Sequence, residues 1–193
     1  IDVVNRKYHD LKHQIAVLRA EQDPQRRLDS LDGMEEEIRT YEAQNKTGNS
    51  VLDTLLTGKS LYCARHGVEL TCVADGAQLD FMDVMDICSI FGNMLDNAIE
   101  YALTLPDKRK RLIHLAVYGK KDFLVIQCEN YCEKQPEFQD GLPVSTKGDG
   151  AYHGYGVKSI RYAAEKYGGT MTIHNRDRWF ELNIVIPIPR PVV

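Results

Sequence analysis

The chain opens with two series of apolar residues at helical spacing. The first is spaced by four, three, four and three residues and comprises Val4, Tyr8, Leu11, Ile15 and Leu18. The second follows Pro24 and comprises Leu28, Leu31, Met34, Ile38 and Tyr41. Because this spacing is typical of packed helices and proline interrupts a helix, the pattern predicts an antiparallel helical hairpin. One hairpin has too little core to stand alone, so we expect two copies of the chain to form a dimeric four-helix bundle.

The pattern changes at the stretch KTGNS, residues 46–50. Its glycine and asparagine interrupt the helical spacing, so the hairpin is predicted to occupy residues 1–47 and a second domain residues 48–193. At the start of the second domain we expect Ser50 to cap a helix that Gly67 ends.

Strands and helices are mixed in this second domain. We expect a short strand from Val68 to Val73, a helix capped by Asp83, and a β-hairpin made of RLIHLAVYG and FLVIQCEN with GKKD as its turn. A long segment with little periodicity, residues 131–153, precedes a helix from about Gly156 to Tyr167, and TMTIHN and WFELNIVIP close the domain as strands. Because the order is not a regular βαβ alternation, the fold class is predicted to be α+β with a mostly antiparallel sheet.

Composition narrows the possible functions only a little. A hydrophobic fraction of 43% allows a sizeable core, and a net charge of −4 gives no reason to expect a nucleic-acid partner. The five cysteines are irregularly spaced and lack the paired spacing of a zinc site, so we expect free thiols in a reducing compartment. No apolar run is long enough to cross a membrane, and the chain begins at Ile1 without methionine. We therefore expect a fragment whose membrane part lies in a sensor segment absent from this chain.

The stretch FGNMLDNAIEYA combines the apolar spacing of a buried helix with unusual polar residues. Residues four apart lie on one helix face, so Asn93, Asn97 and Glu100 form a polar strip. Asparagine is a poor helix former and its amide needs partners when buried. The strip is therefore either the solvated side of an amphipathic helix or a surface that meets a ligand.

The stretch HGYGVKSI places Gly154 and Gly156 at the entry to a helix. Glycine lets the backbone approach a ligand closely, and the free amides at a helix start favour an anion such as phosphate. The alternative is a flexible turn that merely leads into the helix.

The order of these segments resembles the GHKL ATPase domain of sensor histidine kinases. The resemblance rests on NMLDNA, a β-hairpin ending in an amide, a glycine-bearing lid, GYGVKSI and two closing strands. HDLKHQI on the first helix looks like the phosphoacceptor box of the same family. Together with TGNSVLDTLLTGKSLYCARHGVEL, it is closest to the branch that includes the peptide quorum sensors.

The resemblance implies a site for ATP and Mg²⁺ in the second domain. Asn97 matches the asparagine that binds Mg²⁺, and Asn93 matches the polar residue near the phosphates. Gly154 and Gly156 would bind the phosphates, and Lys147 would offset the charge of the phosphoryl group in transit. The family's DxGxG box, whose aspartate reads the adenine amino group, is absent, and Asn130 stands in its place. A separate Phe-rich box is not evident either.

The resemblance also implies a phosphoacceptor in the hairpin. His9 would be the nucleophile, and Asp10 would accept its Nδ1 proton so that the Nε2 lone pair is free to attack. The alternative is a solvated surface histidine, since exposed histidines are common. Gln14, four residues after Asp10, or His13 would position water for removal of phosphate from a partner.

These implications predict an autophosphorylating protein histidine kinase of a two-component system. The homodimer would pass phosphate from His9 to an aspartate of a response regulator, as the cytoplasmic portion of a membrane-anchored sensor. The alternative function is a non-catalytic phosphorelay or scaffold protein with a degenerate nucleotide domain.

Overall fold

A computed structural model describes most of the second domain and little of the hairpin. It covers residues 23–25, 28, 46–133, 138–139, 142–143 and 155–189. The chain forms two compact units, Ile1–Ala43 and Gln44–Val193. The predicted seam and four-helix bundle fall outside the described residues.

Pro24 lies at the start of a helix in the first unit. Pro24, Gln25 and Leu28 are helical, and the carboxylate of Asp23 accepts a hydrogen bond from the Gln25 amide at 2.9 Å. Proline is favoured at a first helical position because the amide it lacks would have no partner there. The second apolar series of the sequence thus follows a helix start at Pro24.

Three helices lie in the described part of the second unit: α1 (Ser50–His66), α2 (Val84–Thr104) and α3 (Tyr155–Lys166). The cap of α1 is Asn49 and not the predicted Ser50, because the Asn49 side chain accepts a hydrogen bond from the Leu52 amide at 3.1 Å. The predicted end at Gly67 is confirmed, with a left-handed φ of 65° that glycine adopts without strain.

The predicted cap of α2 is also confirmed. The Asp83 carboxylate accepts a hydrogen bond from the Met85 amide at 2.8 Å, which satisfies a donor that has no partner within the helix. The helix then runs for 21 residues. It packs against α1, α3 and the sheet, and is therefore the central helix of the unit.

A mixed five-stranded sheet is made of β1 (Glu69–Ala74), β2 (Leu112–Lys120), β3 (Phe123–Tyr131), β6 (Thr170–Arg176) and β7 (Trp179–Pro187). The strand order across the sheet is β1-β2-β3-β7-β6. The β2–β3, β3–β7 and β6–β7 pairs are antiparallel, which confirms the hairpin and both closing strands. β1 pairs with β2 in parallel, an arrangement made possible by the long connection through α2.

A separate two-stranded pair lies in the segment that the sequence predicted to be irregular. It consists of β4 (Phe138–Gln139) and β5 (Leu142–Pro143), which pair in antiparallel fashion.

The core lies between one face of the sheet and the helices. Strand pairing puts alternate residues on this face, including Ile113, Leu115 and Val117 of β2 and Leu182, Ile184 and Ile186 of β7, all buried. The helices cover this face with their own apolar sides. The unit is therefore a two-layer α+β sandwich. Among the described residues, no helix is long and apolar enough to span a bilayer.

All five cysteines are free thiols. Burial raises the pKa of the Cys63 and Cys72 thiols to about 11 and that of Cys128 to about 12. Because the thiolate is the reactive form, these three side chains serve the core rather than chemistry.

Candidate functional site

The polar strip predicted on α2 lies opposite the helix's apolar side. The buried residues of α2 are Ile87, Ile90, Phe91, Met94, Leu95, Ala98, Ile99 and Ala102. Asn93 and Glu100 are half-buried and Asn97 is exposed. The strip is therefore a partly exposed polar surface on a helix whose apolar side is buried in the core.

Gly156 of α3 lies directly against this strip. A Cβ atom built on Gly156 would come 3.3 Å from Asn93 Oδ1 and 3.7 Å from Asn93 Cβ. The Asn93 Nδ2 group donates a hydrogen bond to the Ser89 carbonyl at 2.7 Å, which fixes the amide. Asn93 and Gly156 are thus neighbours in the fold, although they are 63 positions apart in the sequence.

Asn130 occupies the core-facing side of β3 near its end. It is 5% exposed, and its Nδ2 group donates a hydrogen bond to the Tyr131 carbonyl at 3.2 Å. It pairs in register with Ile113 on one side and Phe180 on the other. The apolar side chains on the core-facing side of β3 are therefore followed, near the end of the strand, by a buried amide.

Asn175 is a second amide on the same row, and the sequence analysis did not single it out. It pairs with Phe180, so it shares the sheet face of Asn130 with Phe180 between them. Its Nδ2 group is buried and has no hydrogen-bond partner in the part of the chain that the structure describes. A buried donor without a partner is costly, which makes Asn175 a candidate contact for an acceptor outside the protein. The sequence signal for Asn175 is the alternation of inward-facing residues in β6, Met171, Ile173 and Asn175, in which the third residue is polar.

Lys59 and Asp96 form an ion pair that the sequence analysis also missed. Lys59 is only 7% exposed, and its ammonium group donates a hydrogen bond to the Asp96 carboxylate of α2. The signal is in α1, where the buried positions are Leu52, Leu56, Lys59 and Cys63. A charge at helical spacing within an apolar stripe predicts a specific partner.

Several residues singled out from the sequence lie outside the described part of the chain. They are His9, Asp10, His13, Gln14, Lys147 and Gly154. Of the predicted site residues within the described part, the structure brings Gly156 to Asn93 and leaves Asn97 exposed on the same helix.

A family model described as the GHKL domain matches residues 82–187, more than half of the 193-residue chain. The chain belongs to the GHKL domain family. The matched part of this GHKL domain begins just before α2 and ends with β7, so it contains Asn93, Asn97, Asn130, Gly156 and Asn175.

Relatives of the GHKL domain include histidine kinases. The sensor histidine kinase DpiB of Escherichia coli strain K12 is 30% identical over an alignment of 149 residues, which covers 71% of this chain and 26% of DpiB. The chain thus spans about a quarter of the length of this relative.

Solved structures of the catalytic domain of histidine kinase ThkA share the fold. One nucleotide-free form superposes with a TM-score of 0.51 at 15% identity, covering 81% of this chain and 95% of ThkA's. Another gives a TM-score of 0.50 with the same identity and coverage. The α+β sandwich is therefore the GHKL fold.

The residues of the domain fit the ligand that GHKL domains bind, which is ATP, typically with Mg²⁺. An exposed amide oxygen such as that of Asn97 suits Mg²⁺, a hard cation that prefers oxygen ligands. The absence of a side chain at Gly156 leaves room beside Asn93, and the unpartnered Asn175 donor offers a hydrogen bond to a base. The donor set is thus suited to both a metal-bound phosphate chain and a heterocyclic base.

Proposed function

We propose that this chain is the catalytic core of a sensor histidine kinase that binds Mg-ATP and phosphorylates its own His9. The observation that carries the proposal is the contact of Gly156 with Asn93 on the polar strip of α2, within the part matched to the GHKL family. That contact supports the ligand interpretation of the strip over a merely solvated helix face.

At the phosphate end, the amide oxygen of Asn97 binds Mg²⁺ and Asn93 lies beside the phosphates. The metal, when bound, neutralises charge on the phosphate oxygens and so eases phosphoryl transfer. Gly154 and Gly156 supply backbone amides to the phosphates, and Lys147 offsets charge on the transferring group. The chain's own contribution here is positioning and electrostatics.

At the base end, Asn130 takes the place of the family's aspartate. Its amide oxygen accepts a hydrogen bond from the adenine amino group, and Asn175 Nδ2 donates to a ring nitrogen of the base. Support for this assignment comes from their common sheet face and from the absence of a partner for the Asn175 donor.

In the hairpin, His9 Nε2 attacks the γ-phosphorus as the bond from that phosphorus to the β–γ bridging oxygen breaks and ADP leaves. Asp10 accepts the Nδ1 proton of the imidazole. The homodimer, the cytoplasmic portion of a membrane-anchored sensor, then passes the phosphoryl group to an aspartate of a response regulator. Gln14 or His13 positions water for the reverse task of removing that phosphate.

The test is incubation of the purified chain with γ-labelled ATP. We expect acid-labile, base-stable label on the protein, lost in His9→Gln and retained in the neighbouring control His13→Gln. Equal labelling of His9→Gln would refute His9 as the acceptor. Binding of Mg-ATP without any label would favour the non-catalytic scaffold, which the missing DxGxG aspartate makes the second candidate.

A further inference from the structure

We infer that Lys59 neutralises Asp96 at the proposed Mg-ATP site and thereby removes a negative charge that would repel the nucleotide phosphates. The inference rests on the proposed function, because it assigns a role to residues that border that site. It makes Lys59 a positioning residue that acts through Asp96 and does not itself contact the nucleotide.

Lys59 is held in place by its surroundings. It belongs to the buried stripe of α1 with Leu52, Leu56 and Cys63, and only 7% of its surface is exposed. An ammonium group in such a place requires an anionic partner, since burying an unpaired charge costs several kcal/mol. Asp96 provides that partner from the neighbouring helix. The long side chain therefore brings a positive charge from the core to α2.

Asp96 is placed where its charge matters to a ligand of the strip. It directly precedes Asn97, and on an ideal helix it lies roughly 60° around the axis from Asn93. Its side chain is 43% exposed, so its carboxylate borders the polar surface rather than the core. Lys59 thus neutralises a carboxylate that lies beside the polar strip.

The two partners have opposite effects on a bound anion. Without Lys59, the carboxylate of Asp96 would keep its full charge next to Asn97, and we expect its repulsion of the phosphates to weaken binding on the order of tenfold. Without the charge of Asp96, the Lys59 ammonium would remain and would attract phosphate. A merely structural ion pair predicts something else, namely that both variants lose affinity as they lose stability.

The experiment measures the affinity of the full chain for MgADP by calorimetry in low salt, alongside urea unfolding. We expect Lys59→Met to weaken binding about tenfold, and Asp96→Asn to bind as tightly as the unmodified chain or more tightly. The double variant should return to within about threefold of the unmodified chain, because it carries neither charge. Arg109→Met makes the same change in net charge at a side chain that is 89% exposed and paired with Asp107, and should leave affinity unchanged.

The free energy of unfolding distinguishes the inferred electrostatic role of Lys59 from a purely structural role. Asp96→Asn leaves a buried ammonium without a carboxylate, so it should lower the free energy of unfolding more than Lys59→Met does. Affinity and stability should therefore rank the two variants in opposite orders. Affinity that follows stability, or that changes in neither variant, overturns the inference.

Three further outcomes bear on the inference. If Lys59→Met does not fold, Asp96→Asn carries the test alone, and weaker MgADP binding by that variant overturns the inference. If the unmodified chain does not bind MgADP, the proposed function and this inference fail together. If it binds MgADP and Lys59→Met binds equally well, only the inference fails.

Discussion

The hydroxyl of Tyr167 donates a hydrogen bond to the carboxylate of Asp86, with 2.6 Å between the two oxygens. The same hydroxyl accepts a hydrogen bond from the Asp83 amide at 2.8 Å, and Lys166 donates to Asp86 at 2.6 Å. These contacts hold the end of α3 to the start of α2. Because Gly156, near the start of α3, meets Asn93 further along α2, the two helices run in opposite directions.

Asp86 should stabilise the domain in a pH-dependent manner. The hydrogen bond from Lys166, followed by that from Tyr167, holds the pKa of Asp86 below its ordinary value. A lowered folded-state pKa means that the stabilisation is present above the unfolded-state pKa of about 4 and is lost as the pH falls through the folded-state pKa. Asp86→Asn should lower the free energy of unfolding by about 1 kcal/mol at pH 7.

Urea unfolding at several pH values checks this prediction. The difference between Asp86→Asn and the unmodified chain should be constant near neutrality and shrink below about pH 4. Tyr167→Phe keeps the Lys166 contact, which is the larger cause of the lowered pKa of Asp86, so this control should show a smaller pH-dependent difference. A difference that grows towards acid pH would contradict the assignment.

Gly156→Ala should weaken nucleotide binding. The added methyl group would come 3.3 Å from Asn93 Oδ1, which is tight, so Asn93 or the start of α3 must shift. We expect MgADP affinity to fall about tenfold, because small displacements of positioning groups are costly. Gly58→Ala, where nothing lies within 4 Å of the new carbon, should leave binding unchanged and stabilise α1. Equal affinity in both variants would argue against a phosphate site beside Gly156.

Asn97→Ala should abolish the effect of Mg²⁺ on nucleotide affinity. The side chain is exposed on α2, so the substitution removes the amide oxygen with little effect on folding. Titration with ADP in Mg²⁺ and in a chelator measures the metal's contribution directly. The metal-site assignment is wrong if affinity in Mg²⁺ survives within about twofold, or about 0.4 kcal/mol.

Asn130→Asp should preserve or tighten nucleotide binding, whereas Asn130→Leu should weaken it. A carboxylate is a stronger acceptor for the adenine amino group than an amide, and leucine accepts nothing. Affinity for MgADP, compared with a nucleotide whose base lacks the amino group, is the measurement. If both substitutions leave affinity unchanged, the base is read elsewhere.

Asn175→Leu should make the domain more stable and its nucleotide binding weaker. The substitution removes a buried donor that has no partner, which is worth about 1 kcal/mol of unfolding free energy. It also removes the proposed donor to the base, so we expect affinity to fall about tenfold, with no change in Mg²⁺ dependence. Thermal unfolding and MgADP titration give the two results. A gain in stability with unchanged affinity would leave Asn175 without a role in binding.

Features encoded by neighbouring residues were predictable from the sequence. Asp83 caps α2 through an amide two positions away, and the β2–β3 hairpin follows from alternation around a short turn. The cap of α1 was misplaced by one residue because Asn49 and Ser50 are both good capping residues, and only the observed hydrogen bond separates them.

Features that depend on distant parts of the chain were not predictable in the same way. Lys59 and Asp96 are 37 positions apart, and no local pattern names the partner of a buried lysine. The parallel pairing of β1 with β2 depends on the path of the intervening α2. Asn175 lies beside Phe180, with Asn130 on the other side of that ring, and this placement depends on the strand register, which the sequence does not show.

The row formed by Asn130, Phe180 and Asn175 bears on how the proposed nucleotide binding depends on pH. Carboxamides do not titrate, so neither amide changes its hydrogen-bonding capacity between acid and alkaline solution. An aspartate in the position of Asn130 would gain a proton and lose its charge as the pH falls, and burial at this position would raise the pKa of its carboxyl group above the ordinary value. If these two amides bind the base as proposed, the hydrogen bonds that they make to it stay the same as the pH falls, because neither side chain gains or loses a proton.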